Sequence, residues 1–255
     1  MIRYLQCLLT GSLLYSGFAL LEAAAPASLN ANNDHQFWFE QSLAKDLPCE
    51  WSMTLVTKQR WGADYRILFY QEYECILQRD ITRLFSLRPN SVFKSFSMGP
   101  VIHFNQTIQS NTLGNVQRVW VNRTILEANA IMQVDATKVQ QRLRGEYLYY
   151  LKAHFKNFAR LRYRVRIDSP WTWTRYNINP FISNEWFFRN NTYRTCNPTG
   201  LVGGYYENRL RFGLSAEIVK NMSTEFFWQW RRNKQNPGSS PRWDNIYIIG
   251  VSIGI

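Results

Sequence analysis

Apolar and polar residues alternate along most of this chain. From about Asn30 to the end they follow each other with period two, in segments of about 9 to 15 residues separated by Asn, Gly, Pro, Asp and Lys. The apolar spacing of an amphipathic helix is not sustained anywhere in this region. The pattern therefore predicts an all-β fold built from long strands.

The clearest segment is FARLRYRVRI, Phe158 to Ile167, which has an arginine at every second position from Arg160 to Arg166. Because successive side chains of a strand point to opposite faces, one face carries guanidinium groups and the other carries apolar side chains. Neighbouring segments divide in the same way, with acidic residues among the basic ones. The residues predicted to line one enclosed, charged face are Arg142, Arg144, Glu146, Arg160, Arg162, Arg164, Arg166, Glu185, Glu207, Arg209 and Arg211.

The segments have the length of membrane-spanning strands. Strands of globular proteins commonly have about five or six residues, whereas a tilted strand needs about 9 to 11 to cross a bilayer. No segment after Leu21 approaches the length of a membrane-spanning helix. Tryptophans near segment ends or on apolar faces resemble the aromatic girdles of membrane barrels. These tryptophans are Trp38, Trp51, Trp61, Trp120, Trp171, Trp173, Trp186 and Trp243.

A transmembrane antiparallel up-and-down β-barrel is the fold that these observations predict, since a closed barrel leaves no unpaired strand edge in lipid. Eleven candidate strands lie near 35–43, 51–61, 64–78, 94–108, 116–134, 138–151, 156–167, 176–189, 203–219, 222–233 and 244–255. Bacterial barrels normally have an even number of strands. A further strand at Ile81 to Arg88 would restore that parity, so we expect about 12 strands, within a range of 10 to 12.

The chain start is typical of an export signal. Arg3 precedes a largely apolar stretch from Leu5 to Leu21, and small residues follow it. We therefore predict a signal peptide at 1–27 and a single barrel domain at 28–255. The remaining cysteines, Cys49, Cys75 and Cys196, have no metal-like spacing, and their role is left open.

Several motifs, taken together, resemble a bacterial outer-membrane barrel family known as a domain of unknown function, DUF2490. They are FWFE at 37–40, QRLRGEY at 141–147, RLRYRVRIDSPW at 160–171, PFISNEWFF at 180–188 and ENRLRFGL at 207–214. The resemblance covers nearly the whole chain after the signal. It implies a signal-bearing integral barrel with no assigned activity.

The formal net charge of +12 is mostly due to arginine, and it allows three interpretations of the arginine strand. A nucleic-acid arm is disfavoured by the interleaved apolar residues and by the export signal. The arginines pair with Glu146 and Glu185 and fill the lumen, or else they remain unpaired and favour anions in a narrow pore. The sequence leaves open whether the lumen is filled.

Catalysis has little support in the sequence. The three histidines, His35, His103 and His154, lie far apart, and His103 with Asn105 is the one suggestive pair. No metal site and no cofactor are expected, because His and Cys residues are scattered singly. We therefore expect a non-enzymatic protein.

The leading interpretation is an integral outer-membrane barrel, either structural or a narrow passive pore favouring anions. Its expected partners are outer-membrane lipid, periplasmic chaperones and the barrel-assembly machinery, together with small anionic solutes if the lumen is open, and no nucleic acid. The alternatives are an outer-membrane hydrolase acting on lipid or peptide and a secreted soluble β-barrel or sandwich that binds a ligand.

Overall fold

The computed structural model of the protein describes residues 35–62, 67–85, 91–110, 116–150, 157–174, 177–189, 204–233 and 242–255. In this part of the chain, eleven strands form one closed barrel in the order β1-β11-β10-β9-β8-β7-β6-β5-β4-β3-β2. The predicted all-β barrel is confirmed. The strands are β1 (His35–Leu47), β2 (Trp51–Gly62), β3 (Ile67–Asp80), β4 (Phe93–Ser110), β5 (Val116–Val134), β6 (Thr137–Tyr150), β7 (Phe158–Asp168), β8 (Asn179–Arg189), β9 (Gly204–Val219), β10 (Met222–Asn233) and β11 (Arg242–Gly254).

The barrel closes through a parallel seam. Every other pair of neighbouring strands is antiparallel, but β1 pairs parallel with β11, from His35 opposite Asn245 to Ala44 opposite Gly254. An odd number of alternating strands makes this unavoidable, because the first and last strands then run in the same direction. The additional strand placed at 81–88 is a correction: Thr82–Phe85 form a short 3-10 helix between β3 and β4, and 86–88 lie outside the described residues.

The two ends of the barrel differ in their connections. At the end where β1 finishes, which we call the turn end, two-residue turns join β5 to β6 and β9 to β10. Asp135 and Asn221 have φ values of 53° and 67° in these turns, a left-handed conformation that Asp and Asn tolerate better than most residues. The opposite end, which we call the loop end, carries the connections 63–66, 111–115, 151–157, 190–203 and 234–241.

Apolar residues cover the outside of the barrel, and charged residues are enclosed. On β7, Leu161 and Ile167 are 45% and 42% exposed, whereas Arg162 between them is buried. On β5 and β6, Leu126 is 56% exposed, and Arg144 is 1% exposed. This distribution is the reverse of a water-soluble protein, in which the charged side chains face the solvent.

The enclosed face also contains apolar side chains. Five of them pack together between β8, β10, β11 and β1: Trp38, Phe181, Phe227, Ile246 and Ile248. Trp38 was expected in an outward aromatic girdle, so this is a correction, and the alternation along β1 is what turns it inward. Gly213 allows the close approach of Phe181 and Phe227, because a Cβ at this position would lie 2.3 Å from the Phe227 Cβ.

A bulge in β9 changes one further orientation, because Phe187 lies opposite Glu207 and Phe188 opposite Tyr205, which leaves Tyr206 as the extra residue. The register between β8 and β9 shifts between Phe187 and Phe188, and Tyr206 therefore lies inside. Its hydroxyl accepts a hydrogen bond of 3.2 Å from Arg160. Strict alternation along β9 would place Tyr206 on the apolar outer face, but the bulge shifts the period by one residue.

Several expectations fall outside the described residues, namely the signal peptide at 1–27, His154 and Cys196. Cys49 and Cys75 are described, and both are free thiols. No helix among the described residues is long and apolar enough to cross a membrane.

Candidate functional site: a charged waist and an open cup

Arginine and glutamate side chains from β6, β7 and β8 meet inside the barrel. Arg162 Nη1 donates to Glu146 Oε1 at 2.7 Å, and its Nη2 donates to Glu185 Oε1 at 2.8 Å. Arg142 Nη2 donates to the same Glu185 oxygen at 2.9 Å, and Arg160 pairs with Glu146. Glu146 and Glu185 are both buried, so these ion pairs are enclosed within the barrel.

The other residues predicted to line this face form further pairs. Arg144 Nη1 lies 3.0 Å from Glu74 Oε1, and Arg144 also pairs with Glu127. Arg209 pairs with Glu207, and Arg211 Nε donates to Gln229 Oε1 at 2.7 Å. Arg166 lies 2.7 Å from both Asp168 Oδ1 and Glu225 Oε1. All eleven sequence-predicted residues thus lie on the enclosed face.

A second group of charges lies on β3 and β4, and of its residues only His103 was singled out from the sequence, whereas Glu72 and Glu74 were missed. Glu72, Glu74 and His103 are buried, and His103 Nδ1 lies 3.1 Å from Glu74 Oε1. The signal was present in the printed sequence, because Glu72 and Glu74 alternate on β3 as the arginines do on β7. This alternation is less distinct than the one on β7, because the acidic positions in QEYECIL are interleaved with Tyr73 and Cys75 rather than with aliphatic residues.

These three residues have potential metal-binding atoms within 4.8 Å of one another. Cationic side chains already occupy the surroundings, however: Lys58 Nζ lies 2.7 Å from Glu72 Oε1 and 3.6 Å from Glu74 Oε2. Arg144 is the second cation on Glu74. The charge that a metal ion would neutralise is therefore neutralised by lysine and arginine.

Both ring nitrogens of His103 have side-chain partners, and the ring is not accessible to solvent. Its Nε2 lies 3.3 Å from Asn105 Oδ1, so the pair singled out from the sequence does share a face. The imidazole is 1% exposed, with Glu74 on its other nitrogen. A substrate would have to displace buried ion pairs to reach it.

Aromatic rings fill the remaining space beside the guanidinium groups. Arg60 lies between two rings, with its Cζ 3.8 Å from the centroid of Trp38 and 4.0 Å from that of Tyr70. Phe187 is contacted in the same way by Arg162 and Arg209, at 4.8 and 4.3 Å. These contacts are cation–π interactions, which are strongest where water is excluded. We call this paired, filled cross-section of the barrel the waist.

The inner face is different toward the turn end. On β11 the alternation that buries Ile246 and Ile248 continues inward with Gly250, Ser252 and Gly254. On β1 it continues with Glu40, Ser42 and Ala44, and Ser42 Oγ donates to Ser252 Oγ at 2.7 Å across the seam. The small residues among them are half-buried or exposed although they face inward, so solvent enters the barrel from this end. We call this space the cup.

Arg164 lies where the waist meets the cup. It is directly opposite Arg142 on β6 and Glu185 on β8. Its Nε atom is buried and makes no hydrogen bond, and no carboxylate in the described part of the chain forms an ion pair with Arg164. Arg164 is thus the one arginine of the predicted set that forms no ion pair with a described residue.

A family model matches most of the chain. The model describes a protein of unknown function, DUF2490, and it covers residues 35–241, from the first residue of β1 to just before β11. The chain belongs to the DUF2490 family. The predicted resemblance is confirmed. No curated protein and no solved structure matches the chain significantly.

The DUF2490 match contains both charged groups of the waist. Glu72, Glu74 and His103 lie within it, as do the arginine strand and Glu185. Ile246, Ile248 and the small residues of β11 follow it. The family description assigns no activity to any of these residues.

Proposed function

We propose that this DUF2490 protein is an integral outer-membrane β-barrel whose waist is closed and whose role is structural. The observation that carries the proposal is the inverted distribution of polarity, with apolar side chains outside and buried ion pairs inside. Exposed apolar side chains recur around the outer wall: Ile102, Phe104, Leu126, Leu143, Leu161, Ile182, Phe212 and Phe226. A surface of this kind is stable against lipid and unstable against water.

The length of the strands supports the same proposal. The shortest described strands have 11 residues and the longest has 19, which is enough to cross a bilayer at the tilt of a membrane barrel. The export signal expected at 1–27 is compatible with an outer-membrane location. In that location the protein would contact lipid, and it would require periplasmic chaperones and the barrel-assembly machinery during its biogenesis.

The waist supports a closed barrel rather than a narrow pore. Arg144, Glu185, His103 and Gln229 are at most 1% exposed, and they come from strands on different sides of the barrel. Solutes would have to break buried ion pairs to pass between them. The hydrolase alternative gains no support from His103, because this histidine is buried among the ion pairs of the waist.

Membrane location is tested by expressing the full chain in a Gram-negative host. We expect the protein in the outer-membrane fraction after density-gradient separation, resistant to a carbonate wash and with heat-dependent migration on a denaturing gel. A chain without residues 1–27 is the control and should stay in the cytoplasm. Recovery of the folded protein from the periplasm without detergent would instead indicate a soluble ligand-binding barrel.

The closed waist is tested by inserting the purified protein into planar bilayers. We expect no steady conductance beyond that of the bare membrane. A steady conductance that prefers chloride over potassium would overturn the closed waist and establish the narrow anion pore.

A further inference from the structure

Most charges of the waist are matched in ion pairs, and Arg123 of β5, which has no ion pair with a described residue, donates to the Tyr70 hydroxyl at 3.3 Å. At the floor of the cup Arg164 has no such partner. Glu185 Oε1 accepts hydrogen bonds from Arg142 and Arg162, and its Oε2 lies 3.7 Å from Arg211 Nη2. The carboxylate opposite Arg164 is therefore shared by three other guanidinium groups. Arg164 adds a further positive charge that this carboxylate does not neutralise.

The other carboxylates near this level are also engaged. Asp168 and Glu225 both pair with Arg166, which is the next inward residue on β7. Glu127 pairs with Arg144. Enclosing an uncompensated guanidinium is costly, because the group loses hydration and gains no opposite charge. An anion from solution would remove that cost.

The cup provides room for such an anion. The wall across the barrel from β7 includes Gly250, Ser252, Ser42 and Ala44, which project little into the interior, and Glu40, which lies in register with Gly250. This space is open to solvent at the turn end, where three of the connections are tight turns and Trp171 and Trp173 of the β7–β8 connection are exposed. A small anion therefore has a route from the turn end past these small side chains.

We propose that the cup binds one small oxyanion, of phosphate or carboxylate chemistry, at Arg164. The planar guanidinium presents parallel N–H donors that match two oxygens of such an anion. Arg142, directly opposite on β6, adds to the positive potential at the floor, because its carboxylate partner Glu185 is shared with Arg162 and Arg211. The site makes no use of the membrane, so it is testable in detergent solution separately from the localisation.

The test is calorimetric titration of the purified full-length protein in a neutral detergent at low chloride, with inorganic phosphate and with acetate in separate runs. We expect saturable binding of at least one of them, and binding about tenfold weaker or worse in Arg164→Gln, since a charge-assisted hydrogen bond is lost. Arg79→Gln is the matched control: Arg79 is exposed on the outer face of β3, and its replacement should leave the affinity unchanged.

Two further measurements keep the test valid if Arg164→Gln changes the fold. Phosphate or acetate should raise the unfolding temperature of the wild type, because a ligand stabilises the state that binds it. Gly250→Phe keeps every charge but fills the cup, so it should weaken binding by a similar factor. Saturation by neither anion, or equal affinity in the wild type and both cup variants, would overturn the site.

Discussion

The waist and the cup are formed by the same strands, yet they use arginine differently. In the waist, Arg144 and Arg162 each contact two carboxylates and are buried. At the floor of the cup, Arg164 forms no ion pair with a described carboxylate, and its buried Nε makes no hydrogen bond. Moving one inward position along β7, from Arg162 to Arg164, is enough to pass from one environment to the other.

The comparison shows that arginines at successive inward positions of one strand can have different roles. Where carboxylates of neighbouring strands lie at the same level, the guanidinium groups form the core of the barrel, as hydrophobic side chains do in a soluble protein. Where a guanidinium has no carboxylate within ion-pair distance among the described residues, as at Arg164, its positive charge is not neutralised.

The largest expected effect is the loss of a waist carboxylate. Glu185→Gln keeps the shape of the side chain but leaves Arg142 without its ion-pair partner and Arg162 with Glu146 alone. Breaking a buried pair in this way costs about 3–5 kcal/mol. The free energy of unfolding is measured by urea titration in detergent micelles, followed by tryptophan fluorescence.

The control for this change is Glu225→Gln in the cup. Glu225 pairs with Arg166, but its side chain is 29% exposed, and Arg166 keeps Asp168. Water replaces much of the lost interaction, so we expect a cost below about 1 kcal/mol. Equal costs for the two variants would contradict the distinction between a closed waist and an open cup.

The second effect concerns the outer wall. Leu126→Arg places a charge on the exposed apolar face of β5, at about the level of the waist. If this face contacts lipid as proposed, the substitution costs about 2–4 kcal/mol when the protein is folded in bilayer vesicles. The comparison is the same variant in a zwitterionic micelle with a thin apolar layer, where the cost should be smaller. A neutral effect in both would argue for a wall in contact with water.

Sequence reasoning reached the barrel because the signal repeats in every strand. Period-two alternation over long segments fixes which side chains share a face, and each of the eleven candidate segments coincides with a strand. Whether the number of strands is odd or even is not encoded in this alternation. The rule that bacterial barrels are even-stranded suggested a strand at 81–88, but Asp80 accepts a hydrogen bond from the Thr82 backbone N–H, and the chain turns into a 3-10 helix.

The interior was harder to predict than the fold. The pairing of Arg162 with Glu146 and Glu185 follows from adjacent strands and was anticipated as one of two alternatives. The contact of Arg144 with Glu74 joins residues far apart in the chain and depends on how side chains cross the lumen. Likewise, nothing in the local sequence of β7 distinguishes Arg164 from Arg162, because the difference arises from carboxylates and glycines on other strands.

A third prediction contrasts two glycines of the inner face. Gly213→Ala should destabilise the protein by about 1–3 kcal/mol, because the new Cβ would lie 2.3 Å from the Phe227 Cβ and 2.7 Å from the Phe226 carbonyl oxygen. Gly250→Ala should be close to neutral, since its Cβ would meet Glu225 at an ordinary 3.7 Å. Urea midpoints of both variants against the wild type give the comparison, and a neutral Gly213→Ala would mean that Phe181 and Phe227 are not packed as described.

The smallest expected effect tests whether water reaches the seam. Ser42→Ala removes the hydrogen bond to Ser252 between β1 and β11, in the cup rather than in the waist. The hydroxyl of Ser252 can then bond to water, so the free energy of unfolding should fall by no more than about 0.5 kcal/mol. A loss of about 2 kcal/mol would be the cost of a buried, unsatisfied hydroxyl, and it would show that the seam is dry at this level. The cup would then be closed to solvent, and an anion would have no route to Arg164, so this small effect bears directly on the proposed site.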